Sequence, residues 1–132
     1  MKSRSFADAE LSDSWVEGDE SARWRSAAGE TGEGSGTSLL EVPPGCRLPR
    51  HTDSAEETIV VVDGTAAVTV GDEEGQVPAG GVALVPECAP HEVRNAGDDA
   101  LRFVAVYASN DVVTTYEQPI QPSGDNKSEP LG

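Results

Sequence analysis

The sequence predicts an all-β protein, and three features of its pattern support this prediction. Its apolar residues fall in short runs, each the length of a single strand, that are rich in Val, Leu and Ala. Clusters of Gly, Pro and acidic residues separate these runs and are typical of turns. No stretch of useful length shows the period of an amphipathic helix. Many short strands at close spacing, joined by such turns, indicate a β-sandwich or a β-barrel.

The first half of the chain contains three predicted strands. Residues 21–27 alternate weakly between polar and apolar side chains, and residues 37–42 form an apolar run. Two prolines end the second run, because proline fixes φ and lacks the N–H that a strand ladder needs. Residues 57–62 give the strongest strand signal and are apolar on both alternating faces. We therefore expect both faces to be covered, one by the barrel interior and the other by a second sheet or another subunit.

The second half of the chain continues the same pattern. Asp63 and Gly64 form a dipeptide that favours a two-residue hairpin turn, so we expect residues 65–70 to return as the neighbouring strand. The remaining predicted strands cover residues 76–77, 82–85, 91–94, 101–108 and 112–116.

The chain of 132 residues has the length of one domain, large enough to fold around a single core. Residues 1–20 are polar and without a sustained period, so we expect an N-terminal arm. Residues 21–117 make up the predicted barrel. Residues 118–132 are rich in Pro, Ser, Gly and charge, a composition that predicts a disordered C-terminal tail.

The composition also excludes some partners. The net charge is −15, and only nine Lys and Arg residues are present. This balance argues against nucleic acid and against anionic membrane surfaces, which need clustered cations. No apolar run approaches the ~18 residues of a membrane span or forms a signal peptide. We expect a cytoplasmic protein with Cys46 and Cys88 as free thiols, Cys88 being a small buried residue.

Two stretches carry the residues that indicate chemistry. The first, residues 45–64, reads GCRLPRHTDSAEETIVVVDG, and the second, residues 80–95, reads GGVALVPECAPHEVRN. Both resemble signature motifs of the cupin family, G-x5-H-x-H-x(3,4)-E-x6-G followed by G-x5-P-x-G-x2-H-x3-N. The matching positions are Gly45, His51, Glu57 and Gly64 in the first motif, and Gly80, Pro86, His91 and Asn95 in the second. Two positions depart from the pattern, since Asp53 replaces a histidine and Cys88 replaces a glycine.

The resemblance to cupins implies a single-domain jelly-roll β-barrel with a metal ion inside it. In that family three histidines and one glutamate hold the metal, so the resemblance assigns His51, Glu57 and His91 as ligands. Asp53 stands where the family has its other histidine. Small cupins pair as dimers, so the resemblance also implies a homodimer.

The residues themselves support a metal site. His51 and Asp53 are two apart, so they project from the same face of a strand. Imidazole and carboxylate ligands together suit divalent Fe, Mn, Zn, Ni or Co. If Asp53 is a direct ligand, two carboxylates cancel the charge of the ion. If Asp53 instead orients a ligand histidine, then His51, Glu57 and His91 form the two-histidine, one-carboxylate triad of non-haem iron oxygenases.

These observations lead to two hypotheses for function. The first is a metal-dependent enzyme that acts on a small organic molecule, with Glu57 as a catalytic base when it is free of the metal. Carboxylate-rich ligands favour oxygenase-type chemistry over isomerase or cyclase chemistry. Phe103 and Tyr107 share one face of the last barrel strand, where they either line the substrate pocket or pack in the core. The second hypothesis is a non-catalytic module that binds a small ligand or a metal as a sensor or store.

Overall fold

The computed structural model describes residues 1–132 and consists of β-strands joined by turns, with no helix. It therefore contains no helix with the length and hydropathy that a membrane crossing requires. The strands, in chain order, are β1 (Ser12–Val16), β2 (Asp19–Thr31), β3 (Gly36–Val42), β4 (Arg47–Asp53), β5 (Glu57–Asp63), β6 (Thr65–Val70), β7 (Glu73–Pro78), β8 (Val82–Val85), β9 (His91–Asn95), β10 (Leu101–Tyr107), β11 (Thr114–Ile120) and β12 (Asp125–Ser128).

The strands form two antiparallel layers that close on each other as a jelly-roll barrel. One layer has the order β1-β2-β3-β10-β5-β8, and the other has the order β7-β6-β9-β4-β11-β12. The long strand β2 joins the layers, because its residue Ala22 also pairs in parallel with Arg47 of β4. The predicted all-β jelly-roll fold is confirmed.

Strand β10 illustrates how the alternation of the sequence builds the core. Leu101, Phe103, Ala105 and Tyr107 point inward and are buried, while the residues between them are partly exposed. Full burial of a large apolar side chain such as Leu101 or Phe103 stabilises the fold by roughly 1.5–3 kcal/mol. The apolar core extends from β10 to neighbouring strands through fully buried residues that include Val42, Ile59, Val61, Val85 and Val93.

The hairpin predicted at Asp63 and Gly64 is wrong. Strand β5 pairs with β10 and β8, whereas β6 pairs with β7 and β9 in the opposite layer. The chain therefore crosses between layers at Gly64 instead of turning back beside β5. Gly64 has φ +82°, and a Cβ there would lie 3.0 Å from the carbonyl oxygen of Ala100. Glycine meets both the left-handed backbone and this close approach.

Both terminal segments contain strands. β1 lies within residues 1–20, and β11 and β12 place regular structure in residues 118–132, for which the composition predicts disorder. Tertiary contacts explain this order, since β12 pairs with β11 and Ile120 is buried in the core. Leu131 also packs against the core beside Gly36, where a Cβ would be only 2.5 Å from its Cδ1. The division into arm, barrel and tail at residues 20 and 117 stays a prediction.

Candidate metal centre

Four titratable side chains meet inside the barrel, from three strands. His51 and Asp53 come from the end of β4, Glu57 begins β5 and His91 begins β9. The pairing of β4 with β9 sets His51 directly opposite His91. Each of the four is at most 4% exposed, and their potential ligand atoms all lie within 4.8 Å of one another. The structure thus brings together the four residues that the two motifs identify.

The separations of these atoms fit a single ion. His91 Nε2 lies 3.0 Å from Glu57 Oε1 and 3.2 Å from Asp53 Oδ2, and His51 Nε2 lies 3.7 Å from the same oxygen. Two ligands at right angles, each about 2.1 Å from an ion, are about 3 Å apart, and two opposite ligands are about 4.2 Å apart. The observed spacings fall in this range, so the cluster can hold a metal ion.

Both imidazole rings are oriented by hydrogen bonds outside the cluster. His51 Nδ1 lies 2.7 Å from the carbonyl oxygen of Pro49, and His91 Nδ1 lies 2.9 Å from that of Ala89. Because carbonyl oxygens only accept, each Nδ1 carries the proton and donates it. This leaves both Nε2 atoms directed at the carboxylates, which is how histidines that bind metals are usually held.

Asp53 has one satisfied and one unsatisfied oxygen. The hydroxyl of Thr114 donates to Asp53 Oδ1 at 2.6 Å. Asp53 Oδ2 accepts no hydrogen bond, although it is close to His91 Nε2, because that nitrogen is directed at Glu57 Oε1. Buried polar atoms rarely lack a partner, and this is the one such side-chain atom in the structure. A cation bound between the four side chains would supply that partner.

The pKa values reflect burial and close charges. Burial, and then the neighbouring His91, lower the pKa of His51 to about 4. Burial also opposes the charge of His91, but Asp53 and Glu57 outweigh it and raise the pKa of that imidazole. Burial alone would raise the pKa of Asp53, yet His91 and His51 hold it below its usual value. Glu57 has a raised pKa, because burial is not fully offset by His91.

A cavity of about 770 Å³ opens over this cluster. Tyr107 lines it, and the Tyr107 hydroxyl lies 3.5 Å from Ser38 Oγ. Phe103 is fully buried in the core cluster and does not line the cavity. Both terminal segments contribute to the lining of the cavity, through Arg4, Asp8, Glu10, Ser12, Glu129, Pro130 and Gly132.

Sequence reasoning did not find two further residues at the site, Thr114 and Tyr116. The ring of Tyr116 lies 5.2 Å from that of His51 and lines the cavity, and Thr114 contacts Asp53. Both residues belong to β11, which follows the two motifs in the chain. The one signal in the sequence was the strand predicted over residues 112–116, which indicated an edge strand and nothing about the site.

Cys88 differs from its predicted place in the fold. It is exposed, not buried, and its backbone has φ +62°. Few residues other than glycine take this conformation, which agrees with the glycine that the motif has at this position. Its thiol is not part of the buried cluster, but its N–H donates to the carbonyl oxygen of Asp53 at 2.9 Å. Cys46 and Cys88 are both free, as predicted.

Comparisons with known proteins agree with this architecture. A family model described as "Cupin domain" matches residues 38–107. No curated protein matches the sequence. Among solved structures, the cupin domain of Schizosaccharomyces pombe Cnp3 is similar with a TM-score of 0.67 and 20% identity, over 80% of this chain and 72% of that chain.

Two oxalate decarboxylase structures are also similar. The Lactobacillus farciminis enzyme, in a formate complex, has a TM-score of 0.63 and 23% identity, over 75% of this chain and 31% of that chain. The Bacillus subtilis enzyme, in a study of its Mn(II) centres, has a TM-score of 0.59 and 23% identity, over 72% of this chain and 28% of that chain. The chain thus matches less than a third of the length of either enzyme, and the likeness is one of fold.

Proposed function

Because the chain belongs to the cupin family, we propose that it binds one divalent transition metal through His51, Asp53, Glu57 and His91 and acts on a small organic molecule. The observation that carries this proposal is the unpartnered Asp53 Oδ2, which is buried 3.2 Å from His91 Nε2 and 3.7 Å from His51 Nε2. Without a cation, this arrangement sets a buried carboxylate oxygen against a neutral His51 ring, which is costly. With a cation, all four side chains gain a partner.

The four ligands favour iron or manganese over the other candidates. Two carboxylates cancel the charge of a divalent ion, and oxygen ligands suit harder ions while imidazole suits iron. When bound, the ion supplies Lewis acidity or a site for oxygen activation. Zinc, nickel and cobalt also bind imidazole and carboxylate ligands and stay candidates. The preference for oxygenase chemistry over isomerase or cyclase chemistry stays a prediction.

The residues around the ion have separate proposed roles. Glu57 takes up a proton from the bound molecule whenever its carboxylate is free of the metal, since a raised pKa brings a carboxyl group closer to neutral pH. Tyr107, which lines the cavity, contacts the bound molecule through its hydroxyl. Phe103 stays outside the proposed site, because it does not line the cavity. Tyr116 and Trp24 form an aromatic wall with ring centroids 5.4 Å apart.

The test is metal analysis followed by turnover. The purified protein is stripped with a chelator, reloaded separately with each of the five ions, and analysed by mass spectrometry for metal content. We expect about one ion per chain, and a large loss of binding in Glu57→Gln. Glu56→Gln is the matched control, since Glu56 is the adjacent carboxylate and is exposed. Absence of metal in every reloaded sample would contradict the proposal.

Turnover distinguishes the enzyme from a non-catalytic module. The metal-loaded protein is incubated with pools of small metabolites, with and without Fe(II) and oxygen, and products are followed by mass spectrometry. Consumption of a metabolite only with Fe(II) and oxygen would support an oxygenase. A metal-loaded protein that turns over nothing would favour the second candidate, a sensor or store. The cancelled charge at the site favours that candidate, because a neutral centre polarises a bound molecule less.

We also propose a homodimer that forms through the outer face of β5 and β8. Val82, Leu84 and Val62 are 64%, 60% and 45% exposed on this face, and β8 is an edge strand that pairs only with β5. On a chain with net charge −15, such an uncharged patch allows two copies to approach with little repulsion. A cytoplasmic location stays a prediction.

Light scattering tests the dimer. The wild type should have about twice the chain mass of 13.8 kDa, and Leu84→Glu should reduce it to a single chain. Val113→Glu is the control, because Val113 is also an exposed apolar residue but lies in the loop before β11, away from β5 and β8. A wild type that is monomeric at all concentrations would rule out this interface.

A further inference from the structure

Thr114 contacts Asp53 but lies outside residues 38–107, the part of the chain that matches the family model. We propose that Thr114 is a positioning residue that makes Asp53 a one-oxygen ligand of the metal. This inference rests on the proposed metal function. It concerns how this chain uses an aspartate where the cupin motif has a histidine.

The hydrogen bond joins two buried groups on paired strands. Thr114 is the first residue of β11 and lies directly opposite Asp53 of β4. Both residues are 3% exposed, and Thr114 Oγ1 donates to Asp53 Oδ1 at 2.6 Å. A hydroxyl bonded to an ionised carboxylate makes a strong, directional hydrogen bond, more so away from water. The carboxylate of Asp53 is therefore held in one orientation about its Cβ–Cγ bond.

The backbone around Asp53 is held as well. Ser54 N donates to the carbonyl oxygen of Val113 at 3.0 Å, and Val113 N donates to Ser54 Oγ at 2.9 Å. On the other side, Cys88 N donates to the carbonyl oxygen of Asp53 at 2.9 Å. These bonds tie the end of β4 to β11 and to the loop before β9. With the main chain fixed, the Thr114 hydroxyl decides which oxygen of Asp53 faces the cluster.

That oxygen is Oδ2, which lies 3.2 Å from His91 Nε2 and 3.7 Å from His51 Nε2. A carboxylate that binds a metal through both oxygens must present them together. Here the hydrogen bond from Thr114 holds Oδ1 toward β11 and turns Oδ2 toward the cluster, so Oδ2 is the oxygen presented to the ion. Asp53 then contributes a single donor atom, as an imidazole would at this position. The threonine thus adapts a carboxylate to a place in the motif where the cupin pattern has a ring nitrogen.

The experiment compares Thr114→Val, Thr114→Ser and the control Thr115→Val. Thr115 is the next residue of the same strand, pairs with Thr52 and is half-buried. Mn²⁺ affinity is measured by calorimetry on the chelator-treated full chain. We expect Thr114→Val to weaken binding about 10- to 100-fold, the effect typical of removing a hydrogen-bond partner of a ligand. Thr114→Ser keeps the hydroxyl and should stay within about threefold of the wild type, as should Thr115→Val.

A second readout separates positioning from a general loss of stability. The Co²⁺-loaded protein is compared by visible absorption, which reports the number and arrangement of ligands. Thr114→Val should change the spectrum, because Asp53 can then rotate or bind through both oxygens. In an Asp53→Asn background, Thr114→Val should cost little further affinity, since the two residues act as a unit. Thr114→Ala takes the place of Thr114→Val if circular dichroism shows that the valine variant does not fold.

The outcomes distinguish this inference from the proposed function. Wild-type Mn²⁺ affinity and an unchanged Co²⁺ spectrum in the variant that lacks the hydroxyl would overturn the role of Thr114 and leave the metal site standing. A wild type that binds neither ion would overturn both. A weakened affinity that serine does not restore would show that the shape of the side chain matters and not its hydroxyl, which also overturns the inference.

Discussion

The interior of the barrel has two ends that differ in chemistry, although the same strands build both. On β10, Phe103 and Tyr107 face the same interior and are four residues apart. On β4, Leu48 and Asp53 also both face it, five residues apart, because the register of β4 shifts between Leu48 and His51. We define the apolar end as Val42, Leu48, Val61, Val93, Leu101 and Phe103. We define the polar end as Ser38, His51, Asp53, Glu57, His91, Tyr107 and Thr114.

The difference shows how one fold separates stability from binding. The apolar end is stabilised by burial, which is non-directional and needs only a good fit of volume. The polar end is equally buried, but each of its groups needs a specific partner, and Asp53 Oδ2 lacks one. The cavity opens at the polar end, and of the residues of the apolar end only Leu48 lines it. Substitutions at the two ends should therefore have opposite consequences.

The largest expected effect is at the apolar end, with Phe103→Ala. Phe103 is fully buried between Leu40 and Val61 of the neighbouring strands. Its truncation should lower the free energy of unfolding by about 3–5 kcal/mol through lost burial and the cavity that remains. Urea denaturation measures this loss. The metal content of the protein that remains folded should be that of the wild type.

The control for this prediction is Val104→Ala on the same strand, because Val104 faces outward and is partly exposed. It should cost less than Phe103→Ala. If Phe103→Ala abolished metal or ligand binding in folded protein, the two ends would not be separable. Phe103 would then have a role in ligand binding, which is one of the two roles that the sequence leaves open for it.

The next effect is at the polar end, with His51→Leu. This substitution removes one ligand, and we expect metal affinity to fall at least about 100-fold, as calorimetry can measure. The metal-free protein should change in unfolding free energy by less than about 1.5 kcal/mol, because a neutral polar ring is replaced by an apolar side chain of similar size. His51 is neutral at pH 7 in the folded protein, since burial lowers its pKa to about 4.

Denaturation in the presence of a chelator tests this second half of the prediction. A loss as large as that of Phe103→Ala would mean that the polar end also carries the stability of the fold. Retention of full metal affinity would mean that His51 is not a ligand.

The last effect concerns acid and compares the wild type with His51→Leu. The folded pKa of His51, about 4, lies below its ordinary value of 6.5. Unfolded protein therefore binds a proton at His51 in this range while folded protein does not, and stability falls as the pH drops from 6.5 to 4. One pKa unit corresponds to about 1.4 kcal/mol, so the contribution lost by pH 4 is about 3 kcal/mol. His51→Leu has no such group. In metal-free protein, the wild type should therefore lose more unfolding free energy than the variant as the pH falls from 6.5 to 4.

A parallel dependence on pH in the two proteins would contradict this prediction. In that case the ring of His51 takes up a proton as easily in the folded state as in the unfolded state. Its burial at the polar end would then be incomplete in solution. Both measurements use chelator-treated protein, so that proton uptake is not mixed with metal release.

Much of the fold could be predicted from local patterns. The alternation and turns of the sequence indicated the strands that became β3, β5, β6, β8, β9 and β10. The hairpin at Gly64 failed, because a Gly after an Asp looks the same whether the chain turns back or crosses to the other layer. That choice depends on β10 and β9, which lie far along the chain and pair with β5 and β6. The order at Ile120 was missed for the same reason, since its partners are distant.

For the candidate site, the sequence supplied the types and spacing of His51, Asp53, Glu57 and His91. The alternation of a strand predicts that His51 and Asp53 point to the same face. Their grouping with Glu57 and His91 came from the resemblance to the two cupin motifs. That these side chains bind a metal stays a prediction. Thr114 could not be found in this way, because a threonine in an edge strand has no distinguishing signal until pairing sets it opposite Asp53.

Local sequence was enough for the β class and for the identity of the residues that could carry chemistry, because strand alternation and turn preference depend on near neighbours. The closed barrel decided the rest. It determined which oxygen of Asp53 lies near the imidazoles, left Tyr107 beside the cavity and Phe103 in the core, and brought both terminal segments into the lining of the cavity. These features depend on pairing between distant strands, and the free energy of such contacts is not encoded at any single position.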